Sequence, residues 1–249
     1  MKAIFVSARS ASTRLPNKAL MKIGNKTTVG FLIDCLKYSK MADEIILCTT
    51  ENKEDNALCE VATLHGVRYF RGSSDDKILR WHDAAKKHDV EFFVNVDGDD
   101  LLFDHRLADL CFKQYLDSQK SIDFIDGYGL YNDVYAVKFS ALEQVCLEKQ
   151  IDNTEFVRPL FLNNKALSIE KIKNVPQIFL KQNIRMTLDY QDDLLFFQNI
   201  NNYFSSTSAP MTMENILDYL SENPEVIKIN WHCENLWKIN QKKSFNHTR

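Results

Sequence analysis

Apolar positions along the first hundred residues form short, nearly continuous runs that alternate with amphipathic segments. The runs predict buried strands and the segments, with apolar residues three and four apart, predict helices. The predicted strands cover residues 2–8, 43–50, 67–72 and 90–99, and the predicted helices cover residues 28–40, 52–66 and 75–89. Gly66 stands where a helix C-cap glycine is preferred. Strand–helix alternation of this kind is typical of a parallel sheet covered on both faces.

The second half of the chain is less regular but keeps both element types. We predict strands at residues 122–129, 132–139, 166–172 and 182–189, and helices at residues 106–118, 141–150, 191–204 and 211–223. No stretch is rich enough in Pro, Gly or Ser to be a linker, and no internal repeat is present. The sequence therefore predicts one α/β domain over residues 1–249 with a mixed sheet.

Composition excludes several classes of protein. The 249-residue chain has a formal net charge of −3, which argues against a nucleic-acid binder with a basic face. Its apolar runs are far shorter than the ~20 residues of a membrane span, and the N-terminus lacks the pattern of a signal peptide, so we expect a cytoplasmic protein. Six scattered cysteines without a C-x-x-C pair indicate buried thiols rather than disulfides or zinc ligands. The adjacent His232 and Cys233 are expected to point apart and not to bind a metal.

The loop after the first predicted strand has unusual chemistry. "FVSARSASTRLPNKAL" (residues 5–20) carries cations and hydroxyl side chains but no glycine. Pro16 disfavours helix at the residue before it, so Arg14 and Lys18 belong to an extended loop and can surround one anion. The alternative is a solvated basic loop. The familiar phosphate motifs are absent, since "GNKT" lacks the upstream glycine of a P-loop and no G-x-G-x-x-G occurs.

Two further strand ends carry carboxylates. Asp97, Asp99 and Asp100 lie within four residues, and Asp189 follows another predicted strand. Carboxylates beside a phosphate site are what Mg²⁺ takes as ligands. The alternatives are an acidic turn in solvent and, for Asp189, a helix N-cap. Asp192 or Asp193 is expected to supply the negative charge at the start of the following helix.

In series, these segments resemble the cytidylyltransferases that activate sugars as CMP derivatives, including CMP-Kdo synthetases, acylneuraminate cytidylyltransferases and spore-coat-polysaccharide-type cytidylyltransferases. "ARSASTRLPNK" is similar to their A-R-x-x-S-x-R-L-P-G-K loop, "VNVDGDDLL" to V-N-x-x-G-D-x-P-L and "TLDYQDDL" to D-T-x-E-D-L. "FRGSSDDKILRW", "TEFVRPLF" and "LSENPEVIKIN" look most like the spore-coat-type members. The likeness covers nearly the whole chain.

The resemblance implies a three-layer α/β/α sandwich of the nucleotide-diphospho-sugar transferase type. It also implies CTP and a sugar-type acceptor as substrates, Mg²⁺ as cofactor, and a homodimer. Arg14, Lys18 and Asp99 would be catalytic, with Arg14 and Lys18 on the β- and γ-phosphates and with Asp99 and Asp189 on Mg²⁺. The residues implied in nucleotide binding are Ala8, Arg9, Ser10, Ser12, Arg14, Lys18, Asp76, Lys77, Arg80 and Asp97; those implied in acceptor binding are Arg80, Tyr135 and Glu155.

The middle segment, about residues 123–185, would then form the acceptor site and the dimer interface. Apolar residues in "DVYAVKF" and between Phe156 and Phe161 are assigned to dimer contacts, with an ordinary core as the alternative. The chain departs from the family pattern at Asn17, usually Gly, at Leu101, usually Pro, and at Asp97, which is Gln in the Kdo enzymes. The last departure leaves the base contacts and the acceptor open. A nucleotidyltransferase of this fold that uses another NTP or a sugar phosphate, and a non-catalytic nucleotide-binding protein, are the other interpretations.

Overall fold

The computed structural model describes residues 1–154, 156–180 and 183–247, with side chains described up to residue 240. Its strands are β1 (Lys2–Ser7), β2 (Lys22–Ile23), β3 (Lys26–Thr27), β4 (Glu44–Thr50), β5 (Arg68–Gly72), β6 (Phe92–Asp97), β7 (Phe124–Gly127), β8 (Val134–Lys138) and β9 (Ile169–Lys171). Its α-helices are α1 (Thr28–Leu36), α2 (Asn56–Leu64), α3 (Lys77–Lys87), α4 (His105–Asp117), α5 (Phe139–Glu148), α6 (Arg158–Leu162), α7 (Gln191–Ser206), α8 (Met213–Glu222), α9 (Pro224–Lys228) and α10 (Trp231–His247). Short 3-10 turns lie at Lys18–Leu20, Lys53–Asp55 and Gln177–Phe179.

Seven strands form one mixed sheet in the order β5-β4-β1-β6-β8-β7-β9. β5, β4, β1 and β6 are parallel to one another, β8 is antiparallel to both of its neighbours, and β9 is parallel to β7. Two hydrophobic clusters, one with Ile4 and Val6 and the other with Ala3 and Phe5, take alternate residues of β1 and so lie on opposite faces of the sheet. The predicted fold class, a three-layer α/β/α sandwich with a mostly parallel mixed sheet, is confirmed.

The register brings the ends of neighbouring strands to one edge of the sheet. Ser7, the last residue of β1, lies opposite Cys48 of β4 and Asp97 of β6. Gly66 has φ +65°, the left-handed conformation that favours glycine, and follows α2 as the sequence predicts. The carboxyl ends of parallel strands are the usual position of ligands in such sheets.

One predicted strand is wrong. Residues 183–189 form no strand, and residue 182 lies outside the described residues. The segment crosses the end of β6 instead, where the amide of Leu188 donates to the carbonyl oxygen of Asp99 at 2.9 Å. Asp99 also lies two residues beyond the end of β6, in a turn. The apolar residues Met186 and Leu188 are buried without a sheet ladder, so their hydrophobicity alone could not distinguish the two cases.

Some apolar residues that the sequence assigned to dimer contacts belong to the core. Val134, Ala136 and Val137 of β8 are buried in the centre of the sheet, and the ring of Phe161 stacks on Phe124 with centroids 4.5 Å apart. Of the residues named in that argument, Phe156 remains exposed. Among the described residues, no helix combines the length and apolar character that crossing a membrane requires.

Candidate active site

Three segments meet at the carboxyl edge of the sheet: the loop of residues 8–17 after β1, the turn of residues 98–101 after β6, and the segment of residues 186–190 before α7. Gly98 joins the first two, because its amide donates to the carbonyl oxygen of Ser7 at 2.8 Å. A Cβ atom at Gly98 would lie 2.8 Å from the Cβ of Ala8, so only glycine allows the turn to pack this closely on the loop. The turn and the loop therefore form one surface.

The loop of residues 8–17 is fixed by hydrogen bonds within the loop and by one to Asp55. The carbonyl oxygen of Ser10 accepts from the amides of Ser12 and Asn17 at 2.9 and 3.1 Å, and the amide of Ser10 donates to Asp55 Oδ1 at 2.7 Å. Asn17 has φ 58°, the left-handed region that asparagine tolerates better than most residues. This explains how the loop turns without the glycine that the family pattern has at this position.

The centre of the site contains two carboxylates and two cations. Lys18 Nζ donates to Asp99 Oδ2 at 2.6 Å, to Asp189 Oδ1 at 2.9 Å and to the carbonyl oxygen of Leu188 at 2.8 Å. Arg14 donates to the same Asp189 oxygen through Nη2 at 2.6 Å and Nε at 3.1 Å. The fold thus brings together Arg14, Lys18, Asp99 and Asp189, which are up to 175 positions apart in the chain.

Burial and charge determine the protonation of this cluster. The Asp189 side chain is 2% exposed and that of Asp99 is 25% exposed. Burial raises the pKa of Asp99, the charge of Lys18 opposes this, and the charges of Asp189 and Asp97 add to the rise, so that the pKa lies above its usual value. Burial alone would raise the pKa of Asp189 too, but Lys18 and Arg14 hold it below its usual value. Burial would lower the pKa of Lys18, and the two carboxylates raise it instead, so Lys18 remains an ammonium ion.

A buried network behind Asp189 was not anticipated from the sequence. Arg185 donates to Asp189 Oδ2 at 3.2 Å, to both oxygens of Asp193 at 2.9 and 3.2 Å, and to Glu234 at 3.1 Å. Asp193 also accepts from the amide of Asp189 at 2.8 Å and from Asn230 at 2.9 Å. Arg185, Asp189 and Asp193 are spaced four residues apart, but this spacing brings side chains together only on a helix, and Arg185 and Asp189 precede α7. The network fixes one oxygen of Asp189 and leaves the other facing Arg14 and Lys18.

A second ion pair lies beside the first cluster. Lys77 Nζ donates to Asp97 Oδ1 at 2.5 Å and lies 5.1 Å from the centroid of the Trp81 ring. Asn95 donates to the same Asp97 oxygen at 3.2 Å and accepts from Ser7 Oγ at 2.6 Å. Burial would raise the pKa of Asp97, but the Lys77 ammonium lowers it. The Asp97 side chain is 41% exposed, so this carboxylate is open to a ligand.

Other predicted nucleotide-binding residues make contacts within the protein. Asp76 is the N-cap of α3, and its Oδ1 accepts from the amide of Leu79 at 3.0 Å and from Thr154 Oγ1 at 2.8 Å. Arg80 is buried, with Nη1 on the carbonyl oxygen of Ser73, and Arg9 donates to the carbonyl oxygen of Ser74 at 3.1 Å. Asp76 and Arg80 are therefore buried beside the start of α3 in this structure.

One predicted acceptor-binding residue, Tyr135, lies on the other side of β6 from β1. Tyr135 is half-buried on β8, opposite Asn95 of β6 and Asp126 of β7, so the three side chains share one face of the sheet. Asp126 pairs with Arg158 at 2.8 Å and with Lys171 at 2.7 Å. Glu155 lies outside the described residues. We call Asn95, Tyr135 and Asp126 the polar row.

His232 and Cys233 do not point apart as expected. Cys233 Sγ lies 3.6 Å from His232 Nε2, which is 3.2 Å from Asp192 Oδ2, and the ligand atoms of the three residues lie within 4.8 Å of one another. Burial raises the pKa of the Cys233 thiol to about 11. Cys233 is therefore protonated at neutral pH, and proton loss would have to accompany binding of a metal.

The donors at the centre of the site fit a hard divalent cation. Asp99 Oδ2 and Asp189 Oδ1 each lie within 3 Å of Lys18 Nζ and are therefore less than about 6 Å apart. Contacts near 2.1 Å require the two oxygens within about 4.2 Å of each other, so both could bind one ion if Lys18 moves and the carboxylates shift toward each other. Carboxylate oxygens are the ligands Mg²⁺ prefers, usually together with phosphate oxygens and water. The donor chemistry is compatible with the Mg²⁺ that the sequence resemblance implies.

Fold and site together define a nucleotidyltransferase: a mixed α/β sheet whose carboxyl edge carries a cationic loop beside acidic residues. The chain belongs to the cytidylyltransferase family, whose family model matches residues 3–217. It is therefore a CTP-dependent nucleotidyltransferase.

Matches to individual relatives cover most of the chain. The uncharacterized protein MJ1063 of Methanocaldococcus jannaschii is 31% identical over 90% of this chain and 92% of its own length. The spore coat polysaccharide biosynthesis protein SpsF of Bacillus subtilis is 22% identical over 88% of this chain and 94% of its own. A cytidylyltransferase structure from Leptospira borgpetersenii superposes with a TM-score of 0.81 at 27% identity, covering 91% of this chain and 96% of the other.

Proposed function

We propose that the protein couples CTP to an acidic sugar or a related acceptor, giving a CMP-activated sugar and pyrophosphate for the synthesis of a surface polysaccharide or glycan. The observation that carries the proposal is the convergence of Arg14 and Lys18 on Asp99 and Asp189 at the carboxyl edge of the sheet. A triphosphate with a divalent cation needs both charges in one place. The relative named for spore coat polysaccharide biosynthesis supports the pathway.

In the proposed reaction, a hydroxyl oxygen of the acceptor attacks the α-phosphorus of CTP. A new P–O bond forms, the bond to the bridging oxygen breaks, and pyrophosphate leaves with that electron pair, while the proton of the attacking hydroxyl passes to water. Arg14 and Lys18 hold the β- and γ-phosphates and stabilise the charge that grows on them. The loop of residues 8–12 and the Lys77–Asp97 pair orient the nucleotide. When bound to Asp99 and Asp189, Mg²⁺ supplies Lewis-acid charge stabilisation.

We place the acceptor beside Tyr135, the half-buried member of the polar row. At one end of the polar row, Asn95 contacts Asp97, beside the loop of residues 8–17. At the other end, beyond Tyr135, Asp126 forms ion pairs with Arg158 and Lys171. An acidic acceptor would meet positive charge at that far end, with its hydroxyl directed toward the site. Within this proposal Glu155 is a further acceptor contact in residues 123–185, the segment assigned to acceptor binding, and Arg80 of α3 is an additional contact outside it.

We further propose that the enzyme works in the cytoplasm. All six cysteines lie among the described residues and are free, and burial raises the pKa of several of these thiols, to about 12 for Cys35 and Cys48. Unpaired buried thiols are typical of proteins in a reducing compartment.

A pyrophosphate-release screen tests the proposed reaction. The purified protein would be incubated with Mg²⁺, each of the four NTPs and a panel of keto-acid sugars. We expect release with CTP and a keto-acid sugar. Release only with UTP or only with a sugar phosphate would assign the chain to another reaction of this fold, and no release with any pair would favour a non-catalytic protein.

The metal assignment makes a separate prediction. Asp99→Asn and Asp189→Asn each keep the side-chain shape but remove one charge from the pair, so we expect each variant to need far more Mg²⁺ or to be inactive. Asp100→Asn is the matched control and should need about as much Mg²⁺ as the parent. Titration of pyrophosphate release against Mg²⁺ measures the difference. Equal effects of all three substitutions would mean that the carboxylates act only as an acidic patch.

A further inference from the structure

Lys18 occupies the position between the two carboxylates that the proposed function assigns to the metal. Its ammonium group has three donor hydrogens, and its three acceptors are Asp99, Asp189 and the carbonyl oxygen of Leu188, at 2.6, 2.9 and 2.8 Å. The side chain is 14% exposed. In this arrangement Lys18 has no donor left for a phosphate group.

Arg14 adds to the same arrangement. Two of its nitrogens donate to Asp189 Oδ1, the oxygen that also accepts from Lys18, while Arg185 donates to Asp189 Oδ2. Asp189 therefore receives hydrogen bonds from three cationic side chains. Two of them, Arg14 and Lys18, are the residues that the proposed function places on the triphosphate.

A divalent cation and an ammonium ion compete for the same lone pairs. Mg²⁺ requires carboxylate oxygens near 2.1 Å and near-octahedral geometry. Asp99 Oδ2 and Asp189 Oδ1 cannot meet that requirement while both are bonded to Lys18. A triphosphate offers Lys18 other oxygen acceptors, and the lysine stem is flexible enough to change partners.

We infer, on the basis of the proposed function, that Lys18 is an internal counter-ion that keeps the metal site closed until a triphosphate binds. When nucleotide enters, Lys18 and Arg14 move from the carboxylates to phosphate oxygens, and Asp99 and Asp189 become free to ligate the cation. Metal and nucleotide therefore favour each other's binding, and the coupling is reciprocal. When pyrophosphate leaves, Lys18 returns to the carboxylates and weakens their hold on the metal.

The test measures Mn²⁺ binding to the nucleotide-free protein by electron paramagnetic resonance. Lys18→Met removes the counter-ion and leaves both carboxylates in place, so we expect it to bind Mn²⁺ about tenfold more tightly than the parent, within the usual range of coupling between sites. Lys77→Met is the matched control, because Lys77 is equally exposed and pairs with Asp97 at 2.5 Å. It should stay within about threefold of the parent.

A double variant locates the ion. Lys18→Met combined with Asp189→Asn should lose the gained affinity, because one of the two ligands is then missing. If Lys18→Met does not fold by its melting curve, Lys18→Gln provides the same neutral substitution with a polar end. In the parent, the affinity for CTP should be lower with EDTA than with Mg²⁺, and the difference should be smaller in Asp189→Asn.

The outcomes separate this inference from the proposed function. Parent protein that binds Mn²⁺ without nucleotide as tightly as Lys18→Met would overturn the counter-ion role while leaving cytidylyl transfer intact. Gained affinity that survives Asp189→Asn would also overturn it, because the ion would then lie elsewhere. Absence of CTP-dependent pyrophosphate release, combined with tight Mn²⁺ binding in Lys18→Met alone, would contradict the proposed reaction and support the counter-ion.

Discussion

Three neighbouring carboxylates at the end of β6 and in the turn after it have different surroundings. Asp97 pairs with Lys77 and Asp99 with Lys18, whereas Asp100 has the amide side chain of Asn132 as a polar neighbour. Burial raises the pKa of Asp100 well above its usual value, and the charges of Asp99 and Asp97 raise it further. Ionised Asp100 is therefore a cost to the folded state, whereas ionised Asp97 is stabilised.

This difference predicts a pH dependence for Asp100→Asn. A carboxyl whose pKa is higher in the folded than in the unfolded state loses stabilisation as pH rises above the unfolded value, about 4, because the folded state holds its proton longer. Asp100→Asn removes that loss. We expect its melting temperature to exceed the parent's at pH 8, with the gap narrowing toward pH 4. A gap of constant size across this range would contradict the raised pKa.

Arginine and lysine are not equivalent at position 14, in the loop of residues 8–17. The two nitrogens of Arg14 that contact Asp189 form a planar fork suited to two phosphate oxygens. Arg14→Ala should lower kcat/KM with CTP by a factor equivalent to about 2–4 kcal/mol, the typical cost of losing one preorganised contact. Arg14→Lys should recover only part of it. A folded Arg14→Ala variant with activity near the parent's would refute the assignment.

The loop of residues 8–17 is positioned by the 3-10 turn of Lys53–Asp55, which follows β4. Asp55, buried at the end of a 3-10 turn, accepts from the amide of Ser10 at 2.7 Å and from the amide and hydroxyl of Thr50. The hydroxyl of Ser10 donates to the carbonyl oxygen of Glu54 at 3.3 Å. These bonds tie the loop of residues 8–17 to the start of α2.

Loss of this attachment should affect both stability and nucleotide binding. Asp55→Ala leaves the buried Ser10 amide unpaired, which costs about 1–3 kcal/mol of unfolding free energy. Because the loop is then less fixed, KM for CTP should rise more than kcat falls, and Asp55→Asn should partly restore it. Asp43→Ala is the control: Asp43 accepts from the amide of Lys2 at 2.7 Å, in a different part of the chain. Similar KM values for both alanine variants would argue against a positioning role.

At the level of the molecule, three exposed apolar residues lie close together in the chain, in the last turn of α5 and just after it. Leu147, Ile151 and Phe156 are 81%, 48% and 44% exposed. Lys149, between Leu147 and Ile151 in the chain, pairs with Asp76, the N-cap of α3. We propose this segment as the contact of a homodimer, because exposed apolar groups that lie close together favour association.

The oligomeric state tests that proposal. Light scattering should give the mass of a dimer for the parent at micromolar concentration, and Phe156→Asp should shift it toward the monomer, because a charge would be buried in the contact. Leu64→Asp is the control, since Leu64 is 82% exposed on α2. A parent that is monomeric at this concentration would rule out the contact.

The sequence by itself was sufficient for most elements of the sheet and for their class. Strands such as β1 and β4 are continuous apolar runs, and the helices between them carry apolar residues at helical spacing, so local pattern and final environment agree. Part of the site was also predictable from the sequence. Arg14, Lys18 and Asp99 follow the ends of β1 and β6, and ligands of such sheets bind at strand ends. The extended segment before α7 could not be recognised from the local sequence, because its buried apolar residues have the pattern of a strand.

Only the tertiary structure decided how the charges pair. Asp189 meets Arg14 and Lys18 across more than 170 positions of sequence, and Arg185 and Asp193 reach it from behind through buried contacts. A local pattern can give the residue types that each strand end presents. It cannot show which opposite charges come within hydrogen-bonding distance of each other. That pairing depends on strand order, on the close packing at Gly98, and on a segment that crosses the sheet edge instead of joining it.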